Sequence, residues 1–341
     1  MWKSGLKWMF LIIGTMIGAG YASGRELWQF FGNESGLAIL LFTILFSLST
    51  FVILKISFDK KTSHYLPILQ ELVGKKLAVL YDGMIFIYLF STTVIMLAGS
   101  GATLEAFHLP NWLGILIISI PLIIVFIRDI DGVLSLNSFI LPLLIVGLLS
   151  VLVSFSVQQD LAFLPDISKQ RNWTAAFTFT ALNILPLIAV LGAIGKQVKR
   201  KGEVWIASMG SGLVLGVISY IYNNSLIQIS DEVLLYEIPL FAILRHYPYL
   251  MFVFISILLW LAIFTTAVSG TLGLVTRFRE RIKAPLWVIA ICIVIPMLPL
   301  TSIGFSTLIE YLYPLYGLLN LYVLSSLILY PIINRYKTGQ K

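Results

Sequence analysis

Charge is what this sequence has least of. Only 11% of its 341 residues are Asp, Glu, Lys or Arg, where a soluble domain carries about 25%. No polar stretch much exceeds twenty residues, so no soluble domain fits along the chain. Cysteine is nearly absent. The single Cys292 lies in an apolar segment, which excludes a disulfide framework and a thiolate metal cluster. The three histidines, His64, His108 and His246, fall in or beside loops. There is no phosphate loop of the G-x-x-x-x-G-K-[ST] kind. A catalytic pair at depth, such as two aspartates or serine with histidine, is also missing. The expectation is therefore not an enzyme, with no organic cofactor and no nucleic-acid partner.

What the chain has is apolar length: 59% of its residues are hydrophobic and its mean hydropathy is +0.95. A span needs about 20 mostly apolar residues. Ten are expected, at 6–31, 36–57, 77–107, 112–127, 133–156, 174–197, 203–229, 248–276, 285–300 and 303–333. The connections between them are short, so the chain reads as one transmembrane domain in a lipid bilayer. Lys3 and Lys7 ahead of an apolar run ending near Ala22-Ser23-Gly24 resemble a cleavable signal peptide. The glycines that interrupt that run argue for a retained span instead.

The net charge of +7 is a topology signal. Nineteen basic residues fall on one side of the ten-span plan. They are Lys3, Lys7, Lys55, Lys60, Lys61, Lys75, Lys76, Arg128, Lys196, Lys199, Arg200, Lys201, Arg277, Arg279, Arg281, Lys283, Arg335, Lys337 and Lys341. The other side has Lys169, Arg171 and Arg245, and Arg25 lies within the first span. The bias places both termini in the cytoplasm.

Within the first span stands Gly14-Thr15-Met16-Ile17-Gly18-Ala19-Gly20-Tyr21-Ala22-Ser23-Gly24. Glycine in a helix costs about 1 kcal/mol relative to alanine, and opened backbone at membrane depth is tolerated only where protein or a water-filled cavity covers it. Such a stretch points either to a broken helix whose freed carbonyls and amides bind a ligand, or to close packing through the Gly14–Gly18 pair. Five spans precede the connection 157–173 and five follow it. An odd number per half gives an inverted repeat, about 5–156 and 174–333. It predicts a second broken helix at the start of the second half. The sixth span carries Asn183 and Pro186 at its middle, which fits a break.

The run from Gly14 through Arg25 and Glu26 resembles the opening motif of the YkvI family of bacterial membrane proteins. That family is similar to the amino acid–polyamine–organocation superfamily, whose members share the LeuT-like five-plus-five fold. The resemblance implies an all-α membrane protein with helices 1 and 6 broken, located in the bacterial cell membrane. It implies secondary transport by alternating access, with the solute between those two helices. The sequence pattern Ala262-Ile263-Phe264-Thr265-Thr266 resembles the sodium-site pattern of the fold's eighth helix. By that resemblance, sodium is bound by the carbonyls of Gly14, Ile17 and Ala262 and the hydroxyls of Thr265 and Thr266. The other reading is that these threonines bond their own helix. Proton-coupled relatives use a lysine in the fifth helix. Span 133–156 has no ionisable residue, which favours sodium over the proton as coupling ion.

The same resemblance puts the solute against Met16, Ala19, Gly20, Tyr21 and Asn183. It pairs Arg25 with Glu310 as an outer gate. Metal-transporting relatives carry Asp-Pro-Gly and Met-Pro-His where this chain has Met16-Ile17-Gly18 and Leu185-Pro186-Leu187, which argues against divalent metals. The expected function is cation-coupled transport of an amino acid or similar zwitterion. The alternative is a ligand-sensing receptor subunit on the same fold, as spore-germination receptors are thought to be. Charges inside the membrane each need a partner or water. Here they are Arg25, Glu26, Asp82, Glu105 and Glu310.

Overall fold

The computed structural model describes residues 2–33, 35–127, 130–159, 170–279 and 283–339, which are helical almost throughout. The glycines of the opening segment stop its helix twice. The segment is α1 (Trp2–Met16), α2 (Ala19–Ala22) and α3 (Arg25–Phe30). Gly18 is extended (φ −88°, ψ −173°), and its N–H donates to the Met16 carbonyl only two residues back, at 2.9 Å. The α-helical ladder ends there. Gly24 sits in the left-handed region at φ 80°. A Cβ on it would lie 2.7 Å from the Tyr222 hydroxyl, so glycine is required twice over.

The remaining helices follow in chain order. They are α4 (Gly36–Lys60), α5 (Leu66–Glu105), α6 (Asn111–Val125), α7 (Ile130–Gln158), α8 (Thr174–Ala193) and α9 (Lys201–Gln228). Then come the short α10 (Ser230–Val233) and α11 (Pro239–Leu244), α12 (Tyr249–Arg279), α13 (Leu286–Met297), α14 (Phe305–Leu319) and α15 (Leu321–Gly339). Among the described residues, eight stretches are long and apolar enough to cross a bilayer. Two of the ten expected spans fall outside that count. The first is interrupted, and α6 has 15 residues, a rise of about 22 Å against a hydrocarbon core of ~30 Å. The third expected span is preceded by an extra stretch of helix. α5 begins at Leu66, and Gly74 (φ 78°, ψ 167°) kinks it before the span proper. The tenth expected span is two helices joined at the buried Asn320.

The sixth span corrects an expectation. It does not break at mid-span: α8 runs unbroken from Thr174 to Ala193 with Pro186 inside. Proline leaves the Leu182 carbonyl without its helical donor, but the helix continues through it. At Gly317, α14 comes so close to α8 that a Cβ would lie 2.7 Å from the Thr178 carbonyl. The chain leaves the helix only after Ala193. There the Ser57 hydroxyl donates to the Leu191 carbonyl (2.6 Å) and Thr62 to that of Gly192 (2.7 Å), satisfying carbonyls that a helix end leaves open.

An aromatic cluster fixes the outer half of the first segment. Phe179 of α8 lies 5.2 Å from Phe30, 5.0 Å from Phe31 and 4.9 Å from Phe42 of α4, centroid to centroid. Such pairs are worth about 0.5–1.5 kcal/mol each beyond their burial. The inner half is tied to α9 instead. The Trp8 indole donates to Glu203 (3.3 Å), a buried carboxylate that also accepts from the Lys199 amide (3.2 Å).

Candidate functional site at the first-helix break

The interruption leaves backbone groups unclaimed. The carbonyls of Gly14 and Ile17 accept no backbone hydrogen bond among the described residues. The N–H groups of Ala19, Gly20 and Tyr21 find no backbone acceptor there either. The two readings of the glycine pair divide between its members. Gly14 is a packing glycine, since a Cβ on it would lie 2.8 Å from Leu141 of α7. Gly18 is the break itself.

The structure sets α12 beside that break. A Cβ on Gly18 would meet Thr266 Cγ2 at 3.8 Å. It is the methyl group of Thr266 that faces Gly18. The hydroxyls of Thr265 (3.1 Å) and Thr266 (2.8 Å) both donate to the Ala262 carbonyl, within their own helix. The Ala262 carbonyl, expected as an ion ligand, accepts both of these hydroxyls. Each threonine oxygen keeps lone pairs after donating its proton.

The solute residues separate as well. Met16, Ala19 and Gly20 are buried at the break. Tyr21 is fully buried but points elsewhere: its hydroxyl donates to the Leu215 carbonyl (3.1 Å) and bonds the Ser219 hydroxyl (2.8 Å), both on α9. These bonds hold the Tyr21 side chain against α9. Asn183 is buried on α8, where its amide group donates to the Phe179 carbonyl at 2.9 Å.

Beyond the break, Arg25 Nη2 lies 3.9 Å from Glu310 Oε2. Two features there had no signal in the sequence. Glu237, from the connection between α10 and α11, caps α14 by accepting from the Ser306 N–H (3.0 Å). The buried helix α11 covers the break, with the Leu240 N–H donating to the Ser23 carbonyl at 2.9 Å. A cleft of about 550 Å³ lies beside it, lined by Glu105, His108, Glu237 and Arg245 among others. Asp82 finds the partner that an intramembrane carboxylate needs. Arg277 grips it at 3.0 and 2.6 Å, and the Tyr65 hydroxyl donates to it. Among the described residues, no group of three or more His, Cys, Asp or Glu side chains could hold a metal ion.

Solved structures share this fold of apolar helices. MhsT in complex with L-phenylalanine superposes with a TM-score of 0.66 at 17% identity, over 95% of this chain and 88% of MhsT. A substrate-bound, outward-open Na⁺-coupled sialic acid symporter gives 0.58 at 11%, over 92% and 75%. A manganese transporter of Eremococcus coleocola gives 0.52 at 14%, over 95% and 74%. The protein is a multi-pass membrane protein of this fold. YyaD of Bacillus subtilis (strain 168) is 50% identical over 337 residues, 99% of this chain and 100% of YyaD. The membrane protein YkvI of the same organism is 27% identical over 332 residues, 94% of each chain. The chain belongs to the family of YyaD and YkvI. No family model matches it.

Proposed function

We propose that the chain is a cation-coupled secondary transporter of a small zwitterion of the amino-acid kind, working by alternating access. The observation that carries this is the interruption at Gly18, which leaves the Gly14 and Ile17 carbonyls and the Ala19 and Gly20 amides unclaimed beside α12. Carbonyls suit a hard cation and amides suit a carboxylate. The fold neighbours support the class: one is a complex with L-phenylalanine, another a Na⁺-coupled symporter. In this reading the ten expected spans form the five-plus-five inverted repeat, and α6 and the broken first segment supply the two that are short of helix. Sodium sits at Gly14 and Ile17, with the Thr265 and Thr266 oxygens turning their lone pairs to it. Met16, Ala19, Gly20 and Asn183 surround the solute, and Arg25 with Glu310 closes the outside.

The test is solute binding across a sodium titration. The solute comes from a thermal-shift screen of amino acids, nucleobases and amines. A hydrogen bond to a charged group is worth about 1.5–3 kcal/mol, so Thr266→Ala is expected to weaken sodium roughly ten- to a hundredfold. Coupling is reciprocal, so solute affinity falls by the same factor at low sodium and recovers at saturation. Thr266→Ser is mild. Wild-type binding that ignores sodium and follows pH overturns the ion assignment. Binding without uptake in proteoliposomes identifies a sensor in place of a transporter.

A further inference from the structure

We propose that the Glu26 carboxylate, folded over Gly20 at the break and flanked by Tyr88 and Tyr313, receives the ammonium group of the solute. The inference rests on the transporter reading and names the chemical group that its site selects.

Glu26 opens α3, yet it does not face water: the residue is 7% exposed. Its side chain lies against Gly20, where a Cβ would fall 2.8 Å from Glu26 Cγ and closer still to Oε1. Gly20 is thus the floor on which the carboxylate rests. Oε2 is buried and has no hydrogen-bond partner. Among the described residues no basic side chain pairs with Glu26. Arg25, its neighbour in sequence, is turned to Glu310 and feels Glu237. The groups that do reach Glu26 are tyrosines: Tyr313 of α14 hydrogen-bonds it, and Tyr88 and Tyr21 lie within its field.

A buried carboxylate with no counter-charge is expensive, and the cost is relieved by a cation brought into the site. The surroundings select which cation. An alkali ion needs a shell of several oxygens, and here only one carboxylate oxygen is free. An ammonium is satisfied by one to three acceptors and is attracted to the faces of tyrosine rings. Gly20 also serves the other end of the solute, since its N–H belongs to the unclaimed amides. A molecule with ammonium and carboxylate on one carbon offers a group to each.

The test uses the full chain in lipid nanodiscs and three probes of one skeleton: L-phenylalanine, phenethylamine and 3-phenylpropanoate. L-leucine, isopentylamine and 4-methylpentanoate form a second set. Calorimetric affinities of the wild type are expected to favour the amine-bearing probes. Glu26→Gln is expected to weaken those probes roughly ten- to a hundredfold while leaving the carboxylate-only probes unchanged. Gly20→Ala pushes the carboxylate off its floor and is expected to act in the same direction. Glu26→Asp keeps the charge and retains part of the affinity, so the comparison survives if Glu26→Gln does not fold. Equal affinity of wild type and Glu26→Gln for the amine-bearing probes overturns the assignment. So does a Glu26→Gln variant that alters only the pH dependence of uptake, because the carboxylate then carries a proton. So does a wild type that takes up only solutes lacking an amine, although the transporter reading then stands. Glu26-dependent amine binding without any uptake supports the carboxylate assignment and removes the transporter reading.

Discussion

Arg25 and Glu26 are adjacent in the chain and have opposite surroundings. Successive residues on a helix do not share a face, so one reaches α14 while the other folds back over Gly20. The Arg25–Glu310 contact is half open to water on the Glu310 side, and an exposed pair of this kind is worth about 0–1 kcal/mol. Its loss is therefore expected to leave folding largely intact and to act on opening. Arg25→Glu or Glu310→Arg alone should impair uptake, and the double reversal should restore part of it, both read against the amount of folded protein. Failure of the double variant to recover would make Arg25 a vestibule side chain and no gate. The two positions were visible in the sequence as charges in apolar spans, and their pairing as what the family resemblance implied. The burial of Glu26 was not visible. It depends on a gap that Gly20 leaves six residues earlier and on tyrosines from α5 and α14, which no local pattern encodes.

Helices one and eight show why glycine was a truer sign than proline. Several glycines weaken the helix over consecutive turns, and the chain leaves it in extended backbone at Gly18 and in the left-handed region that favours glycine at Gly24. Pro186 removes one donor, and the helix continues through it. If Pro186 is only a local defect, Pro186→Ala should restore a hydrogen bond to the Leu182 carbonyl. The apparent melting temperature should rise or hold, and solute affinity should change less than about tenfold. Complete loss of binding at unchanged stability would show that the freed Leu182 carbonyl is itself a ligand. The threonine pair on α12 shows a similar limit. Its spacing was legible, but the direction of each hydroxyl was set by its own helix, which offered the Ala262 carbonyl.

At the scale of the whole molecule, the distribution of basic residues and the apolar segments carried most of the fold, because a bilayer allows few alternatives to helices. The same count predicts an orientation. In a background with Cys292 replaced, a cysteine at Lys61 and one at Lys169 are expected to react with an impermeant reagent from opposite faces. Lys169 lies outside the described residues, and its labelling tests the plan independently of the coordinates. Labelling from one face would end the ten-span plan. The ends of the bundle are closed by different chemistry. At one, a charged pair stands 3.9 Å apart with one partner half in water. At the other, hydroxyls of Ser57 and Thr62 are seated on buried carbonyls, and the Trp8 indole on a buried carboxylate. Ionic strength reaches the first kind of contact and hardly touches the second. Brine loosens one door of this protein and leaves the other latched.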